Sequence, residues 1–376
     1  MTCTLCNVKL DESNKTEEHV IPNALGGRKK VVNFICDDCN NKTGEKWDAE
    51  LAKQLSHFSL LLGISRERGD PPAQVFSTID GSKIKVLSNG ELQKTRPVVE
   101  HTVNESGISV HIRATDLKEA KKHLQGKVRS LKKQYPTLSG ELNTEIPFTP
   151  SKEYMDSPLH IESSFGGNDA GRSIVKTALA MVFASGINPK ICEHAIQYLL
   201  HDGEPCFGYY FDKDPISNRL KGLPIHCVHV QGNSTNNLIT AYIEYYGHMR
   251  IALKLSSSYT GKSFNNTYCF NPLTGETIDT IINFPLTERE IEKCYNYEYY
   301  NTDVLKSALG DVMVTLRERD FARQLDRETS EALEQALNEL NMGIDDDLTD
   351  EQLKILVNLM TNKMMPFLVR HVFPHE

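Results

Sequence analysis

The sequence predicts an α+β protein in three parts: a small cysteine-pinned N-terminal module, a small α+β middle region and a larger mixed α+β C-terminal domain. Three observations predict it. Two Cys-x-x-Cys pairs, Cys3/Cys6 and Cys36/Cys39, bracket the first loop. Short alternating apolar runs with turn signals follow from Gln74, which is the pattern of strands. Beyond Leu286 the pattern becomes helical. At 376 residues the chain has room for two or three domains. The boundaries expected are 1–62, 73–136 and 158–376.

Each cysteine pair offers two thiolates at the bite that a tetrahedral zinc ion accepts. Four thiolates close the coordination shell and leave no position for substrate water, so the zinc would be structural. The other five cysteines, Cys192, Cys206, Cys227, Cys269 and Cys294, are scattered without an even pattern, which argues against a disulfide framework. After the second pair, Trp47, Leu51, Leu55 and Phe58 repeat at steps of four and three and predict one apolar helix face. That stripe reads as packing rather than as a base-stacking platform. The helix fades at Gly63, and Arg66 to Pro72 reads as a linker.

In the middle region strands are expected at Val75–Ile79, Ile84–Leu87 and Ile108–Ile112, with Asp80-Gly81 as a hairpin signal. A helix from Asp116, its N-cap, to about Tyr135 follows. Pro136 to Pro158 reads as a loop or linker. The third part opens with a strand at Leu159–Phe165. A glycine-rich turn from Gly166 to Ser173 then leads into an apolar helix, Ile174–Ala184. The turn lacks the order of a nucleotide-binding loop, so it reads as a helix start rather than an anion site. Further strands are expected at Phe207–Phe211, Ile225–Val230, Leu238–Tyr246 and Met249–Leu255. His226 and His229 fall on opposite faces of such a strand and read as core or surface residues rather than a second metal site. Thr287-Glu288-Arg289-Glu290 and Thr349-Asp350-Glu351-Gln352 signal helix N-termini. Asp345-Asp346-Asp347 lacks the ligand order of a calcium loop.

Hydrophobic residues at 39% and charged ones at 24% describe a soluble globular chain. No apolar run is long enough to span a bilayer, and the N-terminus reads as a metal knuckle rather than a signal peptide. Free thiols and a zinc–thiolate site suit a reducing cytoplasm. A net charge of −8 argues against a nucleic-acid partner for the chain as a whole, but a local basic surface suffices for one. Arg28-Lys29-Lys30 supplies such a cluster on the first loop, suited to gripping a phosphate backbone, and a solvated charged loop is the plain alternative. Lys118, Lys121, Lys122, Lys127, Arg129, Lys132 and Lys133 recur along the middle helix, where a solvated face is the better reading.

Between the cysteine pairs run Glu18-His19-Val20-Ile21-Pro22, Gly26-Gly27 and Asn33, and the second pair continues as Cys36-x-x-Cys39-Asn40-x-Lys42-x-Gly44. In order and spacing these first sixty or so residues resemble the HNH family of metal-dependent nucleases, in the subgroup whose ββα fold is pinned by four cysteines. Glu18 stands where that family often has Asp, one methylene longer. The resemblance implies His19 as general base, Glu18 and Asn40 as ligands of a catalytic Mg²⁺ or Mn²⁺, and Asn33 as the residue that braces the loop and orients His19. Lys42, placed at the start of the following helix, would touch phosphate. The expected reaction is hydrolysis of nucleic-acid phosphodiesters, in duplex DNA, leaving 5′-phosphate and 3′-hydroxyl ends, in the setting of defence against foreign DNA. RNA cleavage, or a catalytically silent zinc-stabilised nucleic-acid-binding adaptor, are the alternatives. The C-terminal domain would select the target, sense a trigger, or hold a partner protein or a second copy of the chain.

Overall fold

In the computed structural model, which describes residues 1–104, 107–136, 147, 149, 152, 154–155 and 157–372, the N-terminal cysteines fold the chain back on itself. Strand β1 (Lys15–His19) pairs antiparallel with β2 (Lys30–Cys36), with Glu18 opposite Val31 and His19 opposite Lys30. The chain turns between them through a 3-10 turn at Asn23–Leu25. It then passes so close to itself that a Cβ on Gly27 would fall 1.8 Å from the Ile21 carbonyl oxygen. Helix α1 (Asp37–Thr43) follows, which completes a ββα unit. A wider π turn at Gly44–Asp48 leads to α2 (Ala49–Gln54) and α3 (Ser56–Leu61). Leu51, Leu55 and Phe58 are buried as their spacing predicts. The backbone breaks at Leu55, however, so the single expected helix is two.

The chain divides into two compact units, 72–164 and the remainder. The smaller unit holds β3 (Gln74–Thr78), β4 (Lys83–Val86), β5 (Leu92–Lys94), β6 (Val98–Asn104), β7 (Gly107–Arg113), α4 (Leu117–Gln134) and β8 (Leu159–His160). Its four-stranded sheet runs β5-β4-β3-β8, and β6 and β7 form a separate hairpin. Asp116 caps α4, its Oδ1 accepting from the Glu119 N–H at 2.7 Å. The basic residues of α4 lie toward solvent while Leu131 is buried, as expected of a solvated face. The strand expected over Leu159–Phe165 is only Leu159–His160, because only these two residues pair with β3. Most of the loop expected at 136–158 lies outside the described residues.

The larger unit continues with α5 (Asn168–Ala184), α6 (Glu193–Leu200), β9 (Phe207–Tyr209), β10 (His226–Asn233), β11 (Leu238–Tyr245), β12 (Met249–Ser256), β13 (Phe264–Phe270), α7 (Glu288–Tyr295), α8 (Thr302–Leu340) and α9 (Asp350–Val372). Its antiparallel sheet runs β13-β10-β11-β12-β9. Every residue of β11 is buried, Thr240 and Glu244 included, which explains why its sequence is apolar on both faces rather than alternating. Helix α5 is buried along most of its length and packs against both β10 and β2. It therefore belongs to the same core as the ββα unit, and Phe34, Leu51, Ile174, Leu179, Val228 and Tyr246 lie in one apolar cluster. The helix starts at Asn168 rather than Ile174. Its glycine turn is held by Gln54, whose Oε1 accepts from the Gly166 N–H at 2.9 Å and whose Nε2 donates to the Gly166 carbonyl at 2.8 Å. His226 and His229 are both buried, and His229 Nδ1 lies 2.8 Å from Thr267 Oγ1. No described helix is long and apolar enough to cross a membrane.

Candidate metal centre and active site

The two cysteine pairs converge. The sulfurs of Cys3, Cys6, Cys36 and Cys39 all lie within 4.8 Å of one another, and those of Cys6 and Cys36 are 3.6 Å apart. A zinc ion with Zn–S bonds of about 2.3 Å needs tetrahedral edges of about 3.8 Å, so the cluster fits a structural zinc. Backbone geometry supports the thiolate form at Cys3, whose Sγ accepts the N–H groups of Cys6 (3.5 Å) and Cys36 (3.3 Å). Burial works against ionising Cys3, but these N–H groups outweigh it and bring its thiol down to about 7.

The cluster fastens the end of β2 and the start of α1 to the N-terminal knuckle, and the hairpin carries Glu18 and His19 side by side in sequence. Because neighbours on a strand point to opposite faces, the two meet different surroundings. His19 is partly exposed, with Nε2 3.3 Å from Glu67 Oε2 but without an aligned hydrogen bond. Burial lowers the imidazole below its ordinary pKa and outweighs the opposing pull of Glu67, which favours the neutral ring. Glu67 also holds Lys30, at 3.1 Å.

Glu18 points inward, with 4% of the residue exposed. There it meets Lys176 of α5, a lysine only 2% exposed. The Lys176 ammonium lies 2.5 Å from Glu18 Oε1, 2.5 Å from Asp48 Oδ2 and 3.3 Å from Thr43 Oγ1. Asp48 in turn accepts from Ser173 Oγ at 2.6 Å. Burial pushes the Glu18 carboxyl up to about 7 against the pull of Lys176. Burial also pushes the Lys176 ammonium down, but the carboxylates of Asp48 and Glu18 outweigh it and hold the lysine above its ordinary value. The lysine is charged, because two acidic partners and a hydroxyl satisfy all three of its N–H groups.

Asn40, on α1, donates its Nδ2 to Thr16 Oγ1 (2.9 Å) and to the Glu17 carbonyl (3.3 Å), which turns its Oδ1 away from both. Among the described residues neither Asn40 Oδ1 nor Glu18 Oε2 takes a hydrogen bond. Two hard oxygens thus remain on adjoining elements, and oxygen donors of this kind are the chemistry that Mg²⁺ or Mn²⁺ takes.

The other residues singled out from sequence are placed as follows. Asn33 adopts a left-handed backbone (φ 64°) within β2, beside the slip in register between Lys15 and Glu17, and its side chain makes no hydrogen bond among the described residues. Lys42 lies in the last turn of α1, not the first, and pairs with Asp38 at 2.7 Å; the helix begins directly after Cys36, earlier than expected. Arg28 is exposed, and its guanidinium lies over Gly275. Lys29 has its ammonium 5.2 Å from the centre of the Tyr268 ring. Lys30 adds Glu17 (3.5 Å) to its contact with Glu67.

Sequence reasoning missed three residues of this site: Asp48, Glu67 and Lys176. Glu67 carries no sequence signal, since it sits in a stretch that reads as linker. Lys176 does carry one, as the lone charge within the apolar run from Ile174 to Ala184. A buried charge demands a partner, and a search for that partner leads back to the first helix and hairpin.

Residues 3–56 match the family model of the HNH endonucleases, so the ββα unit with its four cysteines is an HNH endonuclease module, a nuclease family whose members act on nucleic acid. No curated protein and no solved structure matches the chain.

Proposed function

We propose that this protein is a metal-dependent endonuclease that hydrolyses phosphodiester bonds in duplex DNA. The observation that carries this reading is His19, whose burial favours the neutral ring, placed beside Glu18 on the hairpin of a ββα unit pinned by four converging cysteines. His19 would take the proton from the attacking water, and Glu67, beside Nε2, would counter the charge of the imidazolium. Glu18 and Asn40 would hold the Mg²⁺ or Mn²⁺, which when bound polarises the phosphoryl group and stabilises the departing alkoxide. Asn33 would brace the loop through its backbone turn. Arg28, Lys29, Lys30 and Lys42 would contact the phosphate backbone, with Lys30 and Lys42 exchanging their present carboxylate partners for phosphate.

By family likeness the ends would be 5′-phosphate and 3′-hydroxyl, and the setting a reducing cytoplasm in which foreign DNA is attacked. The rest of the chain would choose the target or bind a partner or second copy. Zinc-loaded protein incubated with Mg²⁺ and equal amounts of duplex DNA, single-stranded DNA and RNA tests the substrate: the duplex should be cut first. Preferential cutting of RNA would overturn the DNA assignment.

A second reading is favoured by one observation, the ammonium already seated on Glu18. A module whose acid is permanently neutralised would bind nucleic acid and leave it whole. Metal-dependent conversion of bound DNA to cut DNA separates the two.

A further inference from the structure

We propose that Lys176 is a positioning residue of the nuclease centre: its ammonium fixes one oxygen of Glu18, so that the other is presented to the divalent cation. The proposal rests on the reading of Glu18 as a metal ligand. It places an essential part of the centre on α5, outside the matched segment 3–56.

The ammonium has three N–H groups and three acceptors, Glu18 Oε1, Asp48 Oδ2 and Thr43 Oγ1, all from the ββα unit and the π turn that follows it. Asp48 is held a second time, by Ser173, which lies almost one helical turn before Lys176 on the same helix. Asp48 is thus fixed from both sides and seats the ammonium, while Glu18 is held by that ammonium alone, through Oε1. Charge points the same way. With both carboxyls ionised, as a bound cation would favour at Glu18, two carboxylates and one ammonium leave a single negative charge, which equals that of one uncommitted carboxylate. Asp48 therefore balances Lys176, and Glu18 keeps its attraction for a cation.

Displacement of the lysine by metal is the competing idea, and the surroundings oppose it. Lys176 is 2% exposed, and Val175, Leu179 and Ala180 on its own helix are buried, so a displaced ammonium would face an apolar core. Residues that orient a metal ligand without touching the metal commonly alter metal affinity about 10–100-fold when removed.

The test uses the full-length, zinc-loaded protein with Mn²⁺ binding followed by the EPR signal of the free ion. Wild type should bind an ion that Glu18→Gln loses. The double variant Lys176→Met/Asp48→Asn removes the ammonium together with its balancing carboxylate, so net charge is unchanged. It should keep its zinc and fold yet bind Mn²⁺ about 10–100-fold more weakly. Wild-type affinity in that variant would reduce Lys176 to a structural counter-ion. Tighter binding would make it a competitor of the metal, and either result overturns the proposal. If wild type binds no Mn²⁺, or Glu18→Gln binds it unchanged, the metal reading of Glu18 falls and takes this proposal with it. Should the double variant not fold, ¹⁵N-lysine NMR of wild type decides. The Lys176 ammonium should remain protected from exchange as Mg²⁺ saturates the site, and its passage into rapid exchange would show displacement.

Discussion

A lysine in the middle of an apolar helix ties α5 to the hairpin that carries Glu18. Lys176 is satisfied only because Glu18, Asp48 and Thr43 converge on it, and they depend on it equally. Lys176→Met alone should leave two carboxylates buried without a counter-charge, and breaking a buried pair in this way costs about 3–5 kcal/mol. The midpoint of urea unfolding would show it; an unchanged midpoint would mean the network contributes nothing to stability. Buried histidines give a second residue-scale expectation. Burial lowers His226 to about 3, and His57 and His248 each to about 4. With folded values below the unfolded value near 6.5, the native state resists protons that the unfolded chain accepts. Stability is therefore full above pH 6.5 and declines as pH falls toward 4, by about 1.4 kcal/mol per pH unit for each such histidine. Denaturation midpoints at pH 7.5, 6.5 and 5.5, with zinc content followed in parallel, check the slope. The cysteines, His19, Glu18 and Asn40 were legible as candidates because their chemistry is written in short spacings. Asp48, Glu67 and Lys176 were not, because their roles exist only once distant segments meet.

Elements with strong local rules could be read from sequence, and those defined by partners could not. Asp116 capping α4 and the Thr287/Glu290 capping box of α7 stand where the side-chain pattern put them. Strands β10, β11 and β12 follow their apolar runs to within a residue or three. By contrast β13, Phe264–Phe270, carries Asn265, Asn266 and Thr267 within it and becomes a strand only because β10 offers a free edge. The same principle shortened the strand expected from Leu159. Two expectations belong to this scale. Cys36→Ser should lower zinc content and destabilise the hairpin, since one ligand of four is removed and the base of β2 and α1 comes free. Intact zinc and folding in that variant would argue against a structural ion. Replacing Arg28, Lys29 and Lys30 together by Ala should flatten the salt dependence of DNA binding, by about 0.9 in the log–log slope for each phosphate that is no longer neutralised. An unaltered slope would remove that loop from the interface.

At the scale of the whole molecule, the N-terminal module shares its core with the rest of the larger unit. Phe34, Leu51 and Phe58 are buried in one cluster with residues of α5 and the five-stranded sheet, and Ser59 Oγ lies 2.7 Å from the Tyr246 hydroxyl. Residues 1–62 made alone should expose that face and fail to show cooperative unfolding even with zinc, as circular dichroism would reveal. A cooperative transition would show that the module stands by itself. The account as a whole depends on chemistry at His19. The measurement that tests it most directly is plasmid cleavage by wild type and His19→Ala, both zinc-loaded, in EDTA, Mg²⁺ and Mn²⁺. The account predicts cutting by wild type only when Mg²⁺ or Mn²⁺ is present, and a drop of about 10²–10⁴-fold in the variant without loss of DNA binding. Equal cutting by the two proteins, or none by wild type with either metal, would contradict it.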